Sequence, residues 1–308
     1  MNVLMFFLDG VGIGNANPAE NPFFAAELPA LRSIVGGTLP SLLDPSQRGD
    51  RGQVISIDAC LGVPGLPQSG TGQAALFTGV NASQFVGKHF GPHPYSTLKP
   101  IIIEKNIFRQ LIQKEKKVCF ANAFPQRFFD YQKKKRSRLT VTTFSCQQSG
   151  VRLLDATDLD RGEAISADIT NIGWKDLGHP GVYPIAAKTA GQRLGALTRD
   201  YHFVLFEYWK TDHAGHAMNH ADAISTLEVF DECLGAVLSE VDLEKTLILL
   251  TSDHGNIENL QVKTHTRNPV PLLVAGNRSG DFVTLLKNQS TTPDLTHVTP
   301  LLVEFLTT

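Results

Sequence analysis

The chain has 308 residues, of which 42% are hydrophobic and 19% charged, and its formal net charge is -2. That length suffices for one large α/β domain, or for a core domain with a smaller companion. The small net charge argues against nucleic acid or an anionic membrane surface as a partner. No apolar stretch approaches the roughly 18 residues that a membrane span needs.

The four cysteines lie far apart in the sequence and form no Cys-x-x-Cys pair. Cysteines spaced in this way are typical of reduced, buried residues in an intracellular protein. Residues 1–9 lack a basic segment, and their apolar run ends at Asp9, which favours a first strand over a signal peptide. We therefore expect a cytoplasmic protein.

The first part of the chain predicts short strands and helices. Val3–Leu8 is a continuous apolar run, as expected for a strand covered on both faces. Pro29–Val35 predicts a short helix, and Val54–Ile57 predicts a short strand. Leu98–Lys114 has apolar residues at helical spacing and predicts an amphipathic helix, which the strand Val118–Ala121 follows.

Regular periodicity is lost in residues 124–183. Aromatic residues, the basic run Lys133–Arg138 and a Thr-rich, β-like piece at Leu139–Phe144 follow one another without a clear period. We interpret residues 124–183 as a small inserted cap. The basic run is thin support for nucleic-acid binding, which needs many phosphate contacts. It is usually a solvated surface, but one or two of its cations are also candidates for binding a substrate anion.

Strands and helices alternate again after the cap. The predicted elements are, in chain order, the helix Ile185–Arg199, the strand Phe203–Phe206, the helix Ala221–Val241, the strands Thr246–Leu250 and Val270–Val274, and the helix Val298–Leu306. Such alternation is typical of a mainly parallel sheet covered on both faces. The predicted fold is a three-layer α/β/α core made of residues 1–123 and 184–308, with the cap inserted between them.

Ser69 lies in a Pro- and Gly-rich turn that leads into an apolar run of helical spacing, Leu66–Gly79. A loop that opens into a helix presents free N–H groups and the positive end of the helix dipole. An anion binds readily at such a place, and a serine hydroxyl ionises more easily there. The same pattern also occurs where a serine turn merely caps a helix.

Residues of the types that bind metal ions stand at the ends of several predicted strands. They are Asp9, Asp212, His216, Asp253, His254 and, just before a later strand, His265. In an open α/β sheet, ligands bind beyond the carboxyl ends of the strands, so these groups can converge. Each motif alone is also typical of a turn with local hydrogen bonds. Their occurrence together favours a metal site, and mixed Asp and His ligation suits zinc or manganese better than calcium.

These motifs resemble those of the alkaline phosphatase superfamily of two-metal phosphoryl-transfer enzymes. The resemblance is closest to its cofactor-independent phosphoglycerate mutase and phosphopentomutase branch. The matching segments are Leu8–Gly12, Asp212–His216, Asp253–Asn256 with Glu258, and His265–Thr266 before Asn268–Pro271. Ser69 lies nine residues before Thr78, the spacing that this superfamily uses between its nucleophile and the end of the following helix.

The resemblance implies two divalent metal ions, Mn²⁺ or Zn²⁺, each with its own ligands: Asp212, His216 and His265 for one ion, and Asp9, Asp253, His254 and the oxygen of Ser69 for the other. Three carboxylates offset three of the four positive charges, and the residual charge favours ionised Ser69 and a bound phosphate. Ser69 would attack phosphorus, and water or a second alcohol would cleave the resulting phosphoserine.

Three neighbours of Ser69 bear on this interpretation. Thr71 is a rival nucleophile, although the nine-residue spacing favours Ser69. Gln73 stands where the mutases of the superfamily carry a histidine, and this departure argues against mutase activity. Gln73 and the backbone N–H groups of Gly70 and Thr71 are candidates for binding a phosphate oxygen.

The remaining histidines divide into two sets. His213, His220 and His297 match no motif position and are expected to lie at the surface or to have structural roles. His89 and His93, in the Gly-rich loop after the predicted nucleophile helix, are candidates for the mouth of the active site.

Three activities fit these motifs: hydrolysis of a phosphate monoester, transfer of phosphate between hydroxyl groups by a mutase, and cleavage by a phosphodiesterase or nucleotide pyrophosphatase. A mutase needs a lid that keeps water out, and residues 124–183 are short for one. With Gln73, this favours a phosphatase acting on a small phosphorylated substrate, with the mutase as first alternative. A non-catalytic relative is disfavoured because all seven ligand positions are filled. The oligomeric state is left without a prediction.

Overall fold

The computed structural model describes residues 1–134 and 137–308. Its strands are β1 (Asn2–Leu8), β2 (Gln47–Arg48), β3 (Gly52–Ile57), β4 (Val118–Phe120), β5 (Phe203–Tyr208), β6 (Thr246–Thr251) and β7 (Val270–Ala275). Apart from the β-like piece at Leu139–Phe144, the predicted strands are all found, and the two-residue strand β2 is added to them.

The helices in the first half of the chain, before β5, are α1 (Pro29–Val35), α2 (Ser69–Thr78), α3 (Ala82–Val86), α4 (Lys99–Lys105), α5 (Ile107–Ile112), α6 (Gln126–Gln132), α7 (Val141–Ser149) and α8 (Ala156–Arg161). They are followed by α9 (Ala187–Leu197), α10 (Lys210–Ala217), α11 (His220–Glu240), α12 (Ser279–Gln289) and α13 (Val298–Thr307). Within the described ranges, none of these helices has the length and hydropathy that crossing a membrane requires.

The strands form a seven-stranded sheet in the order β2-β3-β7-β6-β1-β5-β4. The strands β4, β5, β1 and β6 are parallel, with Val3 of β1 paired to Phe203 and to Leu247. β7 is antiparallel to both β6 and β3, and β2 is antiparallel to β3. The predicted α/β fold is confirmed, and the parallel strands occupy one continuous part of the sheet.

The sheet is covered on both faces because alternate residues of its buried strands point in opposite directions. In β1, Leu4, Phe6 and Leu8 belong to a core cluster that includes residues of α1, α9 and α11. Val3 and Phe7 belong to a second cluster with residues of α2, α4, α5 and α13. The continuous apolar run of β1 is therefore explained by a three-layer arrangement.

The predicted helix Leu98–Lys114 is divided into α4 and α5, which corrects the sequence prediction. Asn106 separates the two helices with an extended ψ of 150°. Its Oδ1 accepts a hydrogen bond from Arg109 N at 3.0 Å, and its Nδ2 donates to Ile102 O at 2.8 Å. Asn106 therefore caps both helix ends, a local interaction that apolar periodicity does not report.

The Thr-rich piece Leu139–Phe144 was predicted to be β-like, and this was wrong. The helix α7 begins at Val141, and the Oγ1 of Thr140 accepts a hydrogen bond from Thr143 N at 3.3 Å. Thr140 thus acts as an N-cap, which outweighs the β propensity of the following threonines. α7 packs against α2, α4 and α5. The boundaries 124–183 of the cap stay a prediction.

Candidate metal centre

The candidate ligands meet at the edge of the sheet where the parallel strands end. Asp9 follows β1, Asp212 lies on α10 after β5, and Asp253 and His254 follow β6. Because β7 is antiparallel to β6, the loop that precedes β7 reaches the same edge and brings His265 there. His265 therefore stands at a strand entry on the side where the other strands exit.

The first group of ligands comprises Asp212, His216 and His265, whose ligand atoms lie within 4.8 Å of one another. On α10 the four-residue spacing places Asp212 and His216 on one side, with His216 Nε2 3.3 Å from Asp212 Oδ2. His265 Nε2 lies 3.2 Å from His216 Nε2 and 3.6 Å from Asp212 Oδ1.

Backbone carbonyls orient both histidines of this group. Nδ1 of His216 lies 2.8 Å from Lys263 O, and Nδ1 of His265 lies 2.8 Å from Pro67 O. A proton on Nδ1 is donated to the carbonyl in this arrangement, so Nε2 keeps its lone pair. The tautomer that the backbone selects is the one that binds a cation through Nε2.

The second group surrounds Nε2 of His254. That nitrogen lies 3.0 Å from Ser69 Oγ, 3.3 Å from Asp9 Oδ1 and 3.6 Å from Asp253 Oδ2. The His254 ring stacks on His265 with centroids 3.8 Å apart, so the two groups are contiguous. The structure thus brings all seven predicted ligands into one cluster.

The surroundings of two buried carboxylates, Asp9 and Asp253, show whether the cluster is suited to a cation. In the described part of the chain, Asp9 Oδ1 and Asp253 Oδ2 have no hydrogen-bond partner. Burial, with the charge of Asp253, raises the pKa of Asp9 well above its usual range. Burial, with the charge of Asp212, raises the pKa of Asp253 to about 7. Oxygens that are buried, crowded and unpaired are costly alone and fit a divalent cation placed among them.

His254 completes the fit because it is neutral. Burial lowers the pKa of His254 to about 3, and the nearby His265 acts in the same direction. A neutral imidazole is the form that binds zinc or manganese. Neutral imidazole nitrogens beside carboxylate oxygens are therefore a suitable set of ligand atoms for zinc and for manganese.

Ser69 is the first residue of α2, a helix whose residues are all buried. Its hydroxyl faces His254, whereas Thr71 Oγ1 donates to Gln68 O at 3.2 Å and accepts from Phe90 N at 3.1 Å. The Thr71 N–H also donates to Phe90 O at 2.9 Å. Ser69 thus points to the candidate ligands, and Thr71 holds the loop that covers the start of α2.

Glycines allow α2 to lie close to this loop and to the loop after β6. A Cβ atom on Gly72 would lie 2.7 Å from Asp253 O, and one on Gly70 would overlap His93 O. A side chain does not fit at either position without a backbone shift. The glycines therefore fix the distance between Ser69 and the ligands that follow β6.

Gln73 is buried one turn after Ser69 and contacts a predicted ligand. Its Nε2 donates to Asp9 Oδ2 at 3.4 Å, and its Oε1 has no partner among residues 1–134 and 137–308. The structure therefore places Gln73 beside the second group. Binding of a phosphate oxygen by Gly70, Thr71 or Gln73 stays a prediction.

Several residues position the ligands and were given no role from the sequence. Asn256 Nδ2 donates to Asp212 Oδ1 at 2.7 Å. Ser252 Oγ donates to His254 O at 2.9 Å, and Thr211 Oγ1 donates to Asp9 O at 2.5 Å. Thr211 and Ser252 adjoin ligands in the sequence, and Asn256 belongs to a matching segment, but the partners of all three are known only from the folded chain.

Glu258 joins three loops of the centre. Its carboxylate accepts hydrogen bonds from Gly12 N at 2.9 Å, Asn256 N at 2.7 Å and Asn268 Nδ2 at 3.0 Å, and from the hydroxyl of Thr266. The side chain is 1% exposed. Glu258 was part of a matching motif, but its function as a link between loops was not predicted.

The three histidines that match no motif position each lie against residues outside the two ligand groups. The ring of His213 packs at a tilt against Trp209 with centroids 4.6 Å apart, His220 Nε2 lies 2.8 Å from Pro18 O, and His297 Nδ1 lies 2.9 Å from Asp294 Oδ1. His89 Nε2 lies 3.2 Å from Val63 O.

The basic run is described only in part, since Lys135 and Arg136 lie outside the described residues. Lys133 forms an exposed ion pair with Asp130, with Nζ 3.4 Å from Oδ1. Arg138 lines a cleft of about 570 Å³ together with His93. One cation of the run therefore lies beside a concave surface.

A separate open cleft of about 420 Å³ gives access to the metal centre. It is lined by Ser69, Asp212, His216 and His265, and by Gly91 and Pro92 among others. The side chain of His216 is 41% exposed. The first group of ligands and the hydroxyl of Ser69 are thus accessible to a small molecule from solvent.

Comparison with known proteins agrees with this geometry. Residues 186–308 match the model of a family described as Metalloenzyme superfamily. A 2,3-bisphosphoglycerate-independent phosphoglycerate mutase of Pyrococcus abyssi is 34% identical over 99 residues, which are 32% of this chain and 24% of that protein. The mutase of Antithamnion sp. is 30% identical over 112 residues, 34% of this chain and 21% of that protein. The chain thus matches about a quarter of these relatives' length.

Solved structures show a similar fold over 99% of this chain. The PH0037 protein of Pyrococcus horikoshii superposes with a TM-score of 0.60 at 16% identity, covering 99% of this chain and 96% of that one. A cold-active alkaline phosphatase of Shewanella sp. gives a TM-score of 0.55 at 12% identity, covering 99% of this chain and 100% of that one. The predicted resemblance to the alkaline phosphatase superfamily is confirmed.

Proposed function

We propose that this protein is a metal-dependent enzyme that transfers a phosphoryl group from a small phosphate monoester to Ser69. The observation that carries the proposal is the position of Ser69 Oγ, 3.0 Å from His254 Nε2, beside two carboxylate oxygens, Asp9 Oδ1 and Asp253 Oδ2, that have no hydrogen-bond partner in the described residues. The hydroxyl also lies at the N-terminus of α2, where the helix dipole favours negative charge.

The proposed ligands are those of the two groups. Asp212, His216 and His265 would hold one divalent ion, and Asp9, Asp253, His254 and Ser69 the other. Bound ions would supply Lewis-acid stabilisation of the attacking and leaving oxygens. The choice between manganese and zinc belongs to the proposal and is tested by elemental analysis of the purified protein.

In the proposed reaction, Ser69 loses its proton to solvent through the open cleft, and its Oγ forms a bond to phosphorus. The bond from phosphorus to the alcohol oxygen breaks, and that oxygen takes a proton to leave as the free alcohol. The phosphoryl group then passes from Ser69 to a second hydroxyl or to water. The two outcomes define a mutase and a phosphatase.

The mutase outcome has the better support from the comparisons, because the matching relatives are named as phosphoglycerate mutases. The sequence favoured the phosphatase, and two observations keep it as the second candidate. Gln73 contacts Asp9 where the mutases carry histidine, and the cleft at Ser69 is open to solvent. Water therefore has access to a phosphoserine in this conformation.

The fate of the phosphate separates the two outcomes. The protein, loaded with manganese or zinc, is incubated with phosphoglycerate and phosphosugar isomers and with p-nitrophenyl phosphate. A mutase converts one isomer into another without releasing inorganic phosphate, whereas a phosphatase releases phosphate from every ester it accepts. The bis-ester of the same chromogen tests the phosphodiesterase alternative.

Variants connect these outcomes to the site. Ser69→Ala is expected to abolish turnover, and Ser239→Ala, an exposed serine of α11, is the matched control. No turnover of any phosphate ester by the metal-loaded protein would overturn the proposed function.

The cytoplasmic location is part of the same proposal.

A further inference from the structure

A second concave surface, outside the clefts that contain Ser69 and His93, has aromatic walls. This cleft of about 690 Å³ lies between the predicted cap and the end of β5. We call it the aromatic cleft, after Phe124, Phe128, Tyr131, Trp174 and Trp209, which line it. The side chains of Tyr131 and Trp209 are each 37% exposed, which is unusual for large aromatic residues grouped at one place.

A buried carboxyl group also lines the aromatic cleft. Glu207 is 7% exposed, and its Oε2 accepts a hydrogen bond from Thr142 at 2.5 Å. No residue of the described ranges donates a hydrogen bond to its other oxygen. Burial raises the pKa of Glu207 to about 7. A nearly buried oxygen without a protein partner, in an aromatic cavity, is suited to a polar group of a ligand.

The chain connects the aromatic cleft to the metal centre. Trp209 and Lys210 line the cleft, and Asp212 of the first ligand group follows two residues after Lys210. Arg138 and Leu139 line both the aromatic cleft and the cleft that contains His93. The latter shares Gly91 and Pro92 with the cleft of Ser69, so the three concave surfaces adjoin one another.

We propose that the aromatic cleft binds the alcohol part of the phosphorylated substrate, and that this part carries a planar, apolar ring with a hydrogen-bond donor for Glu207. The inference rests on the proposed function, since it assigns the substrate class of the same site. Planar rings stack on or pack edge-to-face against aromatic side chains, and burial of the ring adds hydrophobic free energy. A small acyclic alcohol leaves these walls without contacts.

Binding without turnover tests the ring. The metal-loaded protein is titrated with phenylphosphonate and methylphosphonate, which differ in the ring and cannot transfer a phosphoryl group. Phenylphosphonate is expected to bind at least tenfold more tightly by calorimetry. Both tryptophans of the chain line the cleft, so phenylphosphonate is also expected to change their fluorescence. Equal affinity for the two phosphonates would overturn the inference.

Variants locate the ring. Phe128→Ala is expected to remove most of the preference for phenylphosphonate, whereas Phe85→Ala, an exposed phenylalanine of α3, is the matched control and retains it. Melting temperatures are measured first. If Phe128→Ala does not fold, Tyr131→Ala replaces it, because the exposed Tyr131 side chain contributes less to the core. An unchanged preference in a folded variant would contradict the assignment.

The proposed hydrogen bond from the ligand to Glu207 is tested with a second pair of phosphonates. Above pH 7, where Glu207 carries its negative charge, a phenylphosphonate with a 4-hydroxyl group is expected to bind up to about tenfold more tightly than phenylphosphonate, because hydrogen bonds to charged groups are stronger than neutral ones. Glu207→Gln keeps the shape of the side chain and is expected to reduce this advantage severalfold. An advantage that is absent in the wild type, or unchanged in Glu207→Gln, would show that Glu207 does not recognise the ligand.

The two proposals fail in different ways. Turnover that depends on Ser69, together with equal affinity for both phosphonates, would refute the aromatic cleft and leave the proposed function intact. A clear preference for phenylphosphonate, without turnover of aryl or alkyl phosphate esters, would refute the proposed function instead.

Discussion

Glu258 illustrates how one residue organises the candidate site without being a predicted ligand. Its carboxylate accepts hydrogen bonds from the loops after β1 and β6 and from the loop before β7. These are the loops that carry Asp9, Asp253 and His265. The positions of the ligands therefore depend on the buried carboxylate of Glu258, both of whose oxygens accept hydrogen bonds.

Replacing Glu258 by glutamine is expected to weaken metal binding. The amide cannot accept from all four donors, so the three loops are held less firmly. Loss of such supporting contacts typically lowers metal affinity by about 10- to 100-fold. The affinity is measured by competition with a chromophoric chelator. Glu104→Gln, in an exposed position on α4, is the control, and equal affinity in both variants would contradict this role.

The roles of neighbouring hydroxyl groups were only partly predictable from the sequence. The spacing to Thr78 favoured Ser69 over Thr71, and the structure supports this choice because Thr71 is bonded to Gln68 and Phe90. The sequence indicated a Gly-rich loop around Phe90, but it did not predict the hydrogen bonds between Phe90 and Thr71. Contacts between residues far apart in the chain leave no local periodicity.

At the level of elements, the approach of α2 to the loop after β6 is a close backbone contact. Gly72→Ala would place a methyl group 2.7 Å from Asp253 O. Because Asp253 O is a backbone atom, relieving this overlap requires the backbone to shift. We expect a loss of about 1–3 kcal/mol in the free energy of unfolding, together with reduced metal affinity. Both are measured by urea denaturation and chelator competition.

The control for this substitution is Gly280→Ala in α12. A Cβ atom there meets no atom within 4 Å, so alanine is expected to be neutral or stabilising by up to about 1 kcal/mol. If Gly72→Ala behaves like Gly280→Ala, then α2 is free to move and does not fix the position of Ser69.

Elements with a strong repeat pattern were the predictable ones. The apolar runs of β1, β5 and β6 and the amphipathic α11 were found at nearly the predicted residues. The direction of β7 was not specified by its own sequence, because strand direction depends on pairing with β6 and β3. Capping by Asn106 and Thr140 decided where α5 and α7 begin, against the periodicity and β propensity of their surroundings.

For the whole molecule, Glu207 predicts a pH dependence of stability. Burial raises its pKa from 4.5 to about 7 in the folded protein. The folded state therefore holds a proton that the unfolded state releases between these pH values. The contribution of Glu207 is most favourable below pH 4.5 and is lost as the pH rises towards 7. The loss amounts to at most about 3 kcal/mol.

Glu207→Gln removes this titration and keeps an acceptor for Thr142. The free energies of unfolding of both proteins are measured in urea from pH 4.5 to 8. The variant is expected to gain stability relative to the wild type as the pH rises, because other titrating groups cancel in the difference. A difference that stays constant over this range would contradict the burial of a proton on Glu207.

The central claim is that phosphate passes through Ser69. The metal-loaded protein is mixed with a phosphate ester that it turns over, quenched in acid and digested, and the peptides are analysed by mass spectrometry. We expect phosphate on Ser69 in the wild type. In Ser69→Ala we expect none, with turnover lower by at least about 1,000-fold. Phosphate on Thr71, or substantial turnover by Ser69→Ala, would contradict the account.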